Sequence, residues 1–208
     1  MSEARLLLIR HGEPVGHEGR CIGHTDTALS SGGVREIESL GLNARVAPKR
    51  VVTSDLRRAT DSGLTLARMW AAPCQSDARL RELSFGDWDG RRWDEIRAID
   101  REALDRWGTD WVRIAPPGGE SGEMLARRAR AALDDAIATA VRDGSTIAIV
   151  SHAGWIRVAA TILLGEPLEA AFDRSIGYAR AAVVCVGDNQ PVLRAWDVAT
   201  LDDASVAR

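Results

Sequence analysis

The sequence predicts an α/β fold: a three-layer α/β/α sandwich with a mostly parallel central sheet. Short apolar runs that read as buried strands alternate with amphipathic stretches along most of the 208 residues, an order typical of a parallel sheet with helices on both faces. A hydrophobic fraction of 45% with 27% charged residues is that of an ordinary folded globular protein. Because this length suffices for one substantial core, residues 1–208 are expected to form a single domain.

The first half of the chain predicts strands and helices in alternation, interrupted by one long loop. Residues 6–9 are all apolar and read as the first buried strand. Residues 12–31 contain four glycines and a proline without periodicity, so they predict a loop, and loops of this length in compact domains are usually functional. The next elements are expected to be a helix at about 33–45 capped by Ser30 or Ser31, a strand at 50–54, a helix at about 55–70 and a short strand at 73–76.

The second half of the chain contains a segment that the alternating pattern does not require. Residues 92–107 carry apolar side chains at helical spacing, and the prolines and glycines of 116–119 then break the chain. We interpret the segment at about 86–120 as a helical insertion packed over the sheet edge. The remaining elements are expected to be a helix at 122–142, a strand at 147–150, a helix at 154–164, a short segment after Pro167, and two strands at 181–186 and 192–196 that run antiparallel.

Charge and hydropathy argue against several kinds of partner. A net charge of -3 gives no electrostatic footprint for nucleic acid, so small anions are the expected ligands. Only four apolar residues separate Arg5 from Arg10, too few for a secretion signal. No stretch approaches the roughly 20 apolar residues of a membrane span, and no membrane partner is expected.

The three cysteines are odd in number, widely spaced and never arranged as C-x-x-C. They fit a reduced, cytoplasmic location better than a disulfide framework. Cys74 and Cys185 lie in strand-like runs and are expected to be small buried hydrophobes. Cys21 lies in the long loop, where a reactive thiol is the alternative to a buried one.

Two histidines directly follow buried strands. His11 follows residues 6–9 and Arg10, and His152 follows residues 147–150 and Ser151. Ligands of open α/β sheets bind outside the carboxyl ends of the strands, so both imidazoles are candidate nucleophiles, acids, bases or ligands. A single histidine after a strand is more often a hydrogen-bonded structural residue, but two such histidines, one of them beside an arginine, favour a site.

Two further charged residues are candidates on weaker grounds. Arg58 opens a helix after a strand, where a guanidinium and the backbone amides favour an anion, whereas its neighbour Arg57 is expected to be solvated because it points elsewhere in helical phase. Glu82 precedes a glycine-rich turn with large aromatic residues, where a carboxylic acid can donate a proton. From local sequence alone, a helix or edge carboxylate paired with one of the many arginines fits Glu82 better.

The motif Arg10-His11-Gly12-Glu13 resembles the signature of the histidine phosphatase superfamily, the phosphoglycerate mutase-like group. The family's other motifs follow in its order. They are Gly23 with Leu29-Ser30 and Gly33, then the run 54–59 with Arg58, then Leu80-Arg81-Glu82, and then Ser151-His152. The resemblance spans residues 5–155 and fits the remainder of the chain.

The resemblance implies a metal-independent phosphomonoester hydrolase without a cofactor. In this family's scheme His11 attacks phosphorus and forms a phosphohistidine, while Arg10, Arg58 and His152 bind the phosphoryl oxygens and Glu82 protonates the leaving alcohol and then activates water. Two arginines and a second imidazole supply the charge stabilisation that phosphoryl transfer needs. A small phosphomonoester is then the expected partner, the insertion at about 86–120 is expected to cover the active site, and a homodimer is a family trait.

Three positions of the long loop depart from the family's pattern or carry no role in it. His17 and Ile22 stand where the mutase-type signature usually has an asparagine and a serine or threonine. His17 is therefore either a substitute donor or an exposed loop residue, and we favour exposure. His24 has no family role that transfers.

The segment 85–90, with Trp107, Trp111 and the run 117–121, looks most like the α-ribazole phosphatases of cobalamin biosynthesis, although broad-specificity relatives share the turn. The four tryptophans of the segment are expected to be mainly packing residues, with stacking on a flat substrate base as the alternative. Arg91 and Arg92 beside them are expected to be solvated. A phosphoglycerate mutase-type phosphotransferase is the alternative enzyme within the family.

Two hypotheses outside this scheme remain open at the level of sequence. A metal-dependent hydrolase would use His11, His17, His24 and His152 as ligands, although their spacing fits no H-E-x-x-H pattern. A non-catalytic phosphate-binding module would keep the pocket but is expected to lose the nucleophile or the acid. Both His11 and Glu82 are present, which favours an enzyme.

Overall fold

A six-stranded sheet forms the centre of the fold within the residues that the computed structural model describes, 4–44, 47–187 and 190–201. The strands are β1 (Ala4–Arg10), β2 (Arg50–Thr53), β3 (Cys74–Ser76), β4 (Thr146–Ser151), β5 (Ala181–Val186) and β6 (Val192–Val198). The α-helices are α1 (Ser31–Leu42), α2 (Arg57–Met69), α3 (Trp93–Ile99), α4 (Arg101–Thr109), α5 (Gly122–Asp143) and α6 (Ala153–Leu164). Short 3-10 turns cover Ala78–Leu80, Gly86–Trp88 and Leu168–Asp173.

The strands lie in the order β3-β2-β4-β1-β5-β6. The pairs β3–β2, β2–β4 and β4–β1 are parallel, whereas β5 is antiparallel to both β1 and β6. The predicted mostly parallel sheet is confirmed, and so is the antiparallel pairing of the last two strands. Each parallel connection carries a helix across a face of the sheet, as a crossover of this kind requires.

The sheet is buried on both faces, which explains why its central strands are apolar without alternation. Leu6 and Leu8 of β1 pack into a core with α5 and α6, whereas Leu7 and Ile9 pack into a second core with α1 and α2. Successive side chains of a strand point to opposite faces, so one apolar run serves both cores. Each such side chain contributes about 1.5–3 kcal/mol by burial, and the result is the three-layer α/β/α sandwich.

Two helices differ from their predicted bounds. The first, α1, begins at Ser31 with the Ser30 hydroxyl accepting a hydrogen bond from the backbone N–H of Gly33, and it ends at Leu42; the last residue predicted for it, Arg45, lies outside the described residues. The helix predicted at 92–107 is two helices, α3 and α4, because the backbone of Asp100 leaves the helical region at φ -140° and ψ 37°. The Asp100 carboxylate accepts a hydrogen bond from Nε1 of Trp88 at 2.8 Å, and this contact fixes the break.

The segment from Gly86 to Glu120 starts and ends at one point of the fold. The backbone N–H of Asp87 donates to the Pro117 carbonyl at 2.8 Å, and that of Glu120 donates to the Ser84 carbonyl at 2.9 Å. Gly86 has a φ of +57°, and a Cβ there would overlap the Pro117 carbonyl. The segment is thus closed at its base by backbone contacts that only glycine permits.

Inside this segment a small core forms around Trp88, which packs with Ile96 and with Cys21 of the long loop. Cys21 is fully buried, and burial raises the pKa of its thiol. The alternative prediction of a reactive thiol at Cys21 is therefore wrong. Cys185 is buried and Cys74 is half-buried. No helix in the described part of the chain is long and apolar enough to cross a membrane.

Glycines join the end of β1 to the first turn of α1. A Cβ at Gly12 would overlap the Gly33 carbonyl, and a Cβ at Gly33 would overlap the backbone of Glu13. Glu13 also accepts a hydrogen bond from the Ser30 hydroxyl at 2.7 Å. The residues of two separate motifs in the sequence are therefore packing partners that fix the loop after β1.

We predict that Gly33→Ala destabilises the protein, because the added methyl group forces the loop after β1 away from α1. Overpacking of this kind costs about 1–3 kcal/mol, measured as a lowered urea midpoint. Gly108→Ala is the matched control, since a Cβ at Gly108 in α4 meets nothing within 4 Å. A helical glycine-to-alanine change there is expected to stabilise by about 0.5–1 kcal/mol. Equal midpoints for the two variants would contradict the proposed contact.

Candidate active site

The sheet brings the two histidines together at the carboxyl ends of neighbouring parallel strands. Arg10 of β1 pairs in register with Ser151 of β4, so His11 and His152 leave the sheet side by side. Their ring centroids are 4.9 Å apart. Both side chains are buried, and the pair forms the floor of the site.

His11 is held with one ring nitrogen unprotonated. Its Nδ1 lies 2.7 Å from the carbonyl oxygen of Gly12, a contact that places the imidazole proton on Nδ1. Its Nε2 lies 3.2 Å from Nε of Arg58, which donates to it. A neutral imidazole with an accepting Nε2 lone pair is the form of histidine that attacks phosphorus.

The structure separates the two adjacent arginines of α2. Arg58 is 1% exposed, and its two terminal nitrogens donate to the carbonyls of Gly23 and Thr25 at 2.7 and 2.9 Å. The side chain of Arg57 is 63% exposed and lies 3.6 Å from the Asp61 carboxylate. Only Arg58 therefore reaches the histidines, and the long loop holds its guanidinium there.

Arg10 is positioned by a residue that sequence reasoning missed. Its guanidinium carbon lies 3.7 Å from the ring centroid of Tyr178, and a terminal nitrogen donates to the Ile176 carbonyl at 2.7 Å. Its Nε is buried without a partner. The Tyr178 ring also lies 5.6 Å from that of His11. A tyrosine after a 3-10 turn carries no local signal of this contact, which arises only when β5 pairs with β1.

His152 is oriented by Ser54, another residue that the sequence did not single out. Its Nε2 lies 2.9 Å from the Ser54 hydroxyl, and that oxygen also accepts a hydrogen bond from the backbone of Leu56 at 3.3 Å. A serine that accepts from Leu56 and donates to Nε2 leaves the His152 proton on Nδ1. This Nδ1 is buried without a partner and is thus a donor available to a ligand.

Both imidazoles are kept neutral by their surroundings. Burial lowers the pKa of His11 well below its ordinary value, and the charges of Arg58 and Arg10 lower it further. Burial likewise lowers the pKa of His152, with Arg58 as the next cause. A protonated His11 would lose its nucleophilic lone pair, so this arrangement preserves the reactive form.

Glu82 reaches the site from the loop after the Ala78–Leu80 turn. One carboxylate oxygen accepts from the backbone of Gly154 at 3.0 Å, and the other accepts from Leu83 at 2.9 Å and Trp155 at 3.2 Å. The first turn of α6 favours an anion there. A Cβ at Gly154 would overlap the carboxylate. The acid is thus fixed by backbone contacts, rather than by the arginine pairing that the sequence allowed.

A half-buried ion pair supports the loop that carries Glu82. Arg128 of α5 bonds to the Glu120 carboxylate and donates to the Glu82 carbonyl at 2.7 Å. Nε2 of His24 lies 2.9 Å from the same carbonyl. Arg128 lies 46 positions from Glu82 along the chain and His24 lies 58 positions from it. The local sequence therefore did not predict these contacts.

A cavity of about 370 Å³ opens above these groups. The lining includes all the predicted site residues except His152, whose ring contacts that of His11 edge to face. It also includes His17, Ile22 and Trp93. His17 is half-buried, with its ring 5.3 Å from that of Tyr178 and its Nδ1 2.9 Å from the Pro14 carbonyl. The preference for an exposed His17 is therefore wrong.

All four tryptophans of the 86–120 segment make packing contacts, as expected, and two of them also line cavities. Trp88 is buried and Trp107 contacts it edge to face, so these two are packing residues. Trp93 lines the cavity, and Trp111 lines a smaller pocket beside it. Arg91 is exposed.

The four histidines do not converge as metal ligands. Nε2 of His24 is used by the Glu82 carbonyl and His17 packs on Tyr178, while His11 and His152 face one another. Within residues 4–44, 47–187 and 190–201, no group of three or more His, Cys, Asp or Glu side chains is placed to hold a metal ion. The geometry of these side chains therefore does not support the metal-ligand hypothesis.

Neutral His11, two arginines and a second imidazole together form a site suited to transfer of a phosphoryl group to histidine. The imidazole and the two guanidinium groups surround one small space, and the Glu82 carboxylate stands at its side. An α/β sandwich with this site at the carboxyl edge of its sheet defines a phosphohistidine enzyme.

The comparison with known families gives the same class. The sequence matches the histidine phosphatase superfamily (branch 1) over residues 6–199, and the chain belongs to this family. It is a phosphatase that acts on small phosphorylated substrates, and the phosphohistidine mechanism is general to the family.

Two curated relatives illustrate the range of the family. The chain is 33% identical over 176 residues to glucosyl-3-phosphoglycerate phosphatase of Mycolicibacterium vanbaalenii, which covers 81% of this chain and 78% of the relative. It is 32% identical over 165 residues to adenosylcobalamin/α-ribazole phosphatase of Salmonella typhimurium, covering 78% and 81% respectively. Among solved structures, the α-ribazole phosphatase of Shigella flexneri superposes with a TM-score of 0.87 at 25% identity, covering 95% of this chain and 98% of the other.

The neutral histidines predict a pH dependence of stability. Their folded-state pKa values lie below the ordinary value of about 6.5 that applies to the unfolded chain. The unfolded chain therefore binds more protons as the pH falls below 6.5, so stability that is present at pH 7 is lost towards pH 5.5. Each histidine contributes a slope of up to about 1.4 kcal/mol per pH unit.

Chemical denaturation at pH 7.0, 6.5, 6.0 and 5.5 measures this slope. His152→Gln, which keeps a group able to bond Ser54, is expected to lose the contribution of one proton, and His11→Asn is expected to lose the same amount. A wild-type slope equal to that of both variants would contradict the neutral, buried state of these imidazoles.

Proposed function

We propose that His11 is the nucleophile and that the chain hydrolyses phosphomonoesters through a phosphate on Nε2 of His11. The observation that carries this proposal is the His11 geometry, with the proton held on Nδ1 by Gly12 and the Nε2 lone pair facing Arg58. A phosphoryl group bound in the cavity meets this lone pair directly. Arg10, Arg58 and Nδ1 of His152 are the donors for its oxygens.

The proposed reaction has two balanced steps. In the first, Nε2 attacks phosphorus, the bond to the alcohol oxygen breaks, and protonated Glu82 gives its proton to that oxygen. In the second, Glu82 takes a proton from water as the water attacks phosphorus, the N–P bond breaks, and inorganic phosphate leaves with neutral His11 restored. The transition states carry charge on the equatorial oxygens, which Arg10 and Arg58 stabilise without reorganisation.

Two substrates are the leading candidates. α-Ribazole 5′-phosphate is supported by the names of relatives and by Trp93, whose ring lines the cavity and can stack on a flat base. Glucosyl-3-phosphoglycerate is supported by the name of another relative and by Arg157, a further cation in the cavity lining. The segment 86–120 is proposed to act as an insertion over the active site, since its Trp93 contributes to the cavity wall. Measuring kcat/KM for both compounds, and for phosphoglycerates, sugar phosphates and nucleotides, ranks the candidate substrates. Mutase activity is measured with the phosphoglycerates as substrates.

We predict that His11→Ala lowers kcat/KM for p-nitrophenyl phosphate by at least about a thousandfold, because the covalent route is lost. The wild type, quenched during turnover of a ³²P-labelled phosphomonoester with EDTA present, is expected to carry acid-labile phosphate, mapped to His11 by peptide analysis. Wild-type turnover in His11→Ala would overturn the assignment, and loss of activity with EDTA would contradict the metal-independent scheme.

The neighbouring arginines of α2 provide a matched pair. Arg58→Ala is expected to lower kcat/KM by about a hundredfold or more, since a buried donor to the transition state is removed. Arg57→Ala removes an exposed cation of the same helix turn and is expected to change kcat/KM less than about twofold. Steady-state kinetics at one ionic strength measure both variants. Similar losses for the two would show that general positive charge, rather than the Arg58 contact, supports the reaction.

For Glu82→Ala the expected loss depends on the leaving group. General acid catalysis is worth about 10²–10⁴-fold, and poor leaving groups need it most. The variant should therefore lose far more activity on an alkyl phosphate than on p-nitrophenyl phosphate, with little change in the inhibition constant of inorganic phosphate. An equal loss on both esters would remove Glu82 from the role of acid.

A further inference from the structure

A small apolar pocket adjoins the catalytic cavity. This side pocket has a volume of about 110 Å³. Glu82, Phe85 and Arg157 line both the side pocket and the catalytic cavity, and the two spaces therefore meet at these three residues. The remaining walls of the side pocket are mainly apolar side chains, among them Leu83, Trp111, Leu125, Val158 and Phe172.

Arg157 is the cation at this junction, and its guanidinium is not fully satisfied. It lies on α6, three residues after Gly154, and so on the helix face that Glu82 meets. Its Nε is buried without a hydrogen-bond partner, and among the described residues no ion pair includes it. Its guanidinium carbon lies 5.7 Å from the Phe172 ring centroid.

Buried donors without a partner are rare and call for an explanation. Nε of Arg10 and Nδ1 of His152 are two other orphaned nitrogens, and both belong to the proposed phosphate cradle. Arg157 shares this property but stands beside the group that protonates the leaving alcohol. The place of Glu82 in both cavities indicates that the alcohol leaves through this junction.

We propose that Arg157 and the side pocket form a leaving-group subsite for an acidic alcohol, with Arg157 pairing a carboxylate and the pocket receiving an apolar part of the same molecule. The proposal rests on the proposed function, because it assigns the leaving group relative to Glu82. The apolar walls displace water around the guanidinium, which makes a bidentate carboxylate contact stronger than on an exposed surface. The pocket of about 110 Å³ is smaller than a cavity of about 150 Å³ that accepts benzene in another protein, so it takes a short alkyl group or the edge of a ring that extends from the catalytic cavity.

The test uses two esters that differ only in the carboxylate, phenyl phosphate and 4-carboxyphenyl phosphate. The readout is the ratio of their kcat/KM values, corrected for the leaving-group difference with p-nitrophenyl phosphate and 4-cyanophenyl phosphate as neutral references. The wild type is expected to favour the carboxylate ester by about tenfold or more. Arg157→Met is expected to remove that preference and Arg157→Lys to keep part of it.

Arg113→Met is the matched control. Arg113 is 64% exposed and pairs with Asp110 and Glu169, so its loss is expected to leave the ratio unchanged. An unchanged ratio in both Arg157 variants overturns the proposal. If kcat/KM also falls by the same factor for the two esters, Arg157 is a phosphate ligand instead.

A binding measurement separates this proposal from the proposed function. Quenching of tryptophan fluorescence, with Trp111 in the pocket wall, reports binding of 4-hydroxybenzoate or phenol in the presence of inorganic phosphate. We expect 4-hydroxybenzoate to bind the wild type more tightly by about tenfold, and Arg157→Met to lose this difference. An enzyme inactive on all esters but retaining this difference would overturn the proposed function alone. Equal binding of the two compounds by the wild type would overturn the subsite alone.

Discussion

The contact between Nε of Arg58 and Nε2 of His11 sets the conditions for the whole site. A cation that donates to this lone pair allows no proton there, so His11 must be neutral, with its own proton on Nδ1 and accepted by the Gly12 carbonyl. The contact requires a guanidinium that is almost fully buried. The carbonyls of the long loop make this burial possible, because they accept hydrogen bonds from the terminal nitrogens of Arg58. In the proposed reaction the same guanidinium donates hydrogen bonds to the oxygens of the bound phosphoryl group.

The sheet sets the distance between His11 and His152, and the helices α2 and α6 position Arg58 and Glu82 beside them. Parallel pairing of β1 and β4 puts His11 beside His152, while α2 begins one residue after Leu56 and turns Arg58 back over the strand ends. Glu82 is set against the first turn of α6, whose backbone N–H groups hold it. A reaction that depends mainly on positioning and charge is well served by elements this rigid.

The wall of the cavity comes from other parts of the structure than its floor. The reacting groups come from strand ends and helix starts that pack in the two main cores, whereas the cavity wall above them comes from the long loop, the turn at Phe85 and the segment closed at Gly86 and Pro117. His17 packs on Tyr178, and Tyr178 in turn stacks on Arg10. The long loop is thus joined to Arg10 through an aromatic contact.

The sequence by itself determined the fold class and the order of the strands and helices, because apolar periodicity and strand-end positions are local properties. Its motifs indicated the residues that meet at the site through their resemblance to a known family. It could not distinguish the two histidines, place the break at Asp100, bury Cys21 or draw His17 into the cavity. Those outcomes depend on partners far along the chain, as do Ser54, Tyr178 and Arg128, which contact the site from separate elements. The opening apolar run Leu6–Ile9 was readable as a strand from its composition. That His11, two residues after this run, holds an unprotonated Nε2 was decided only when α2 brought Arg58 against it.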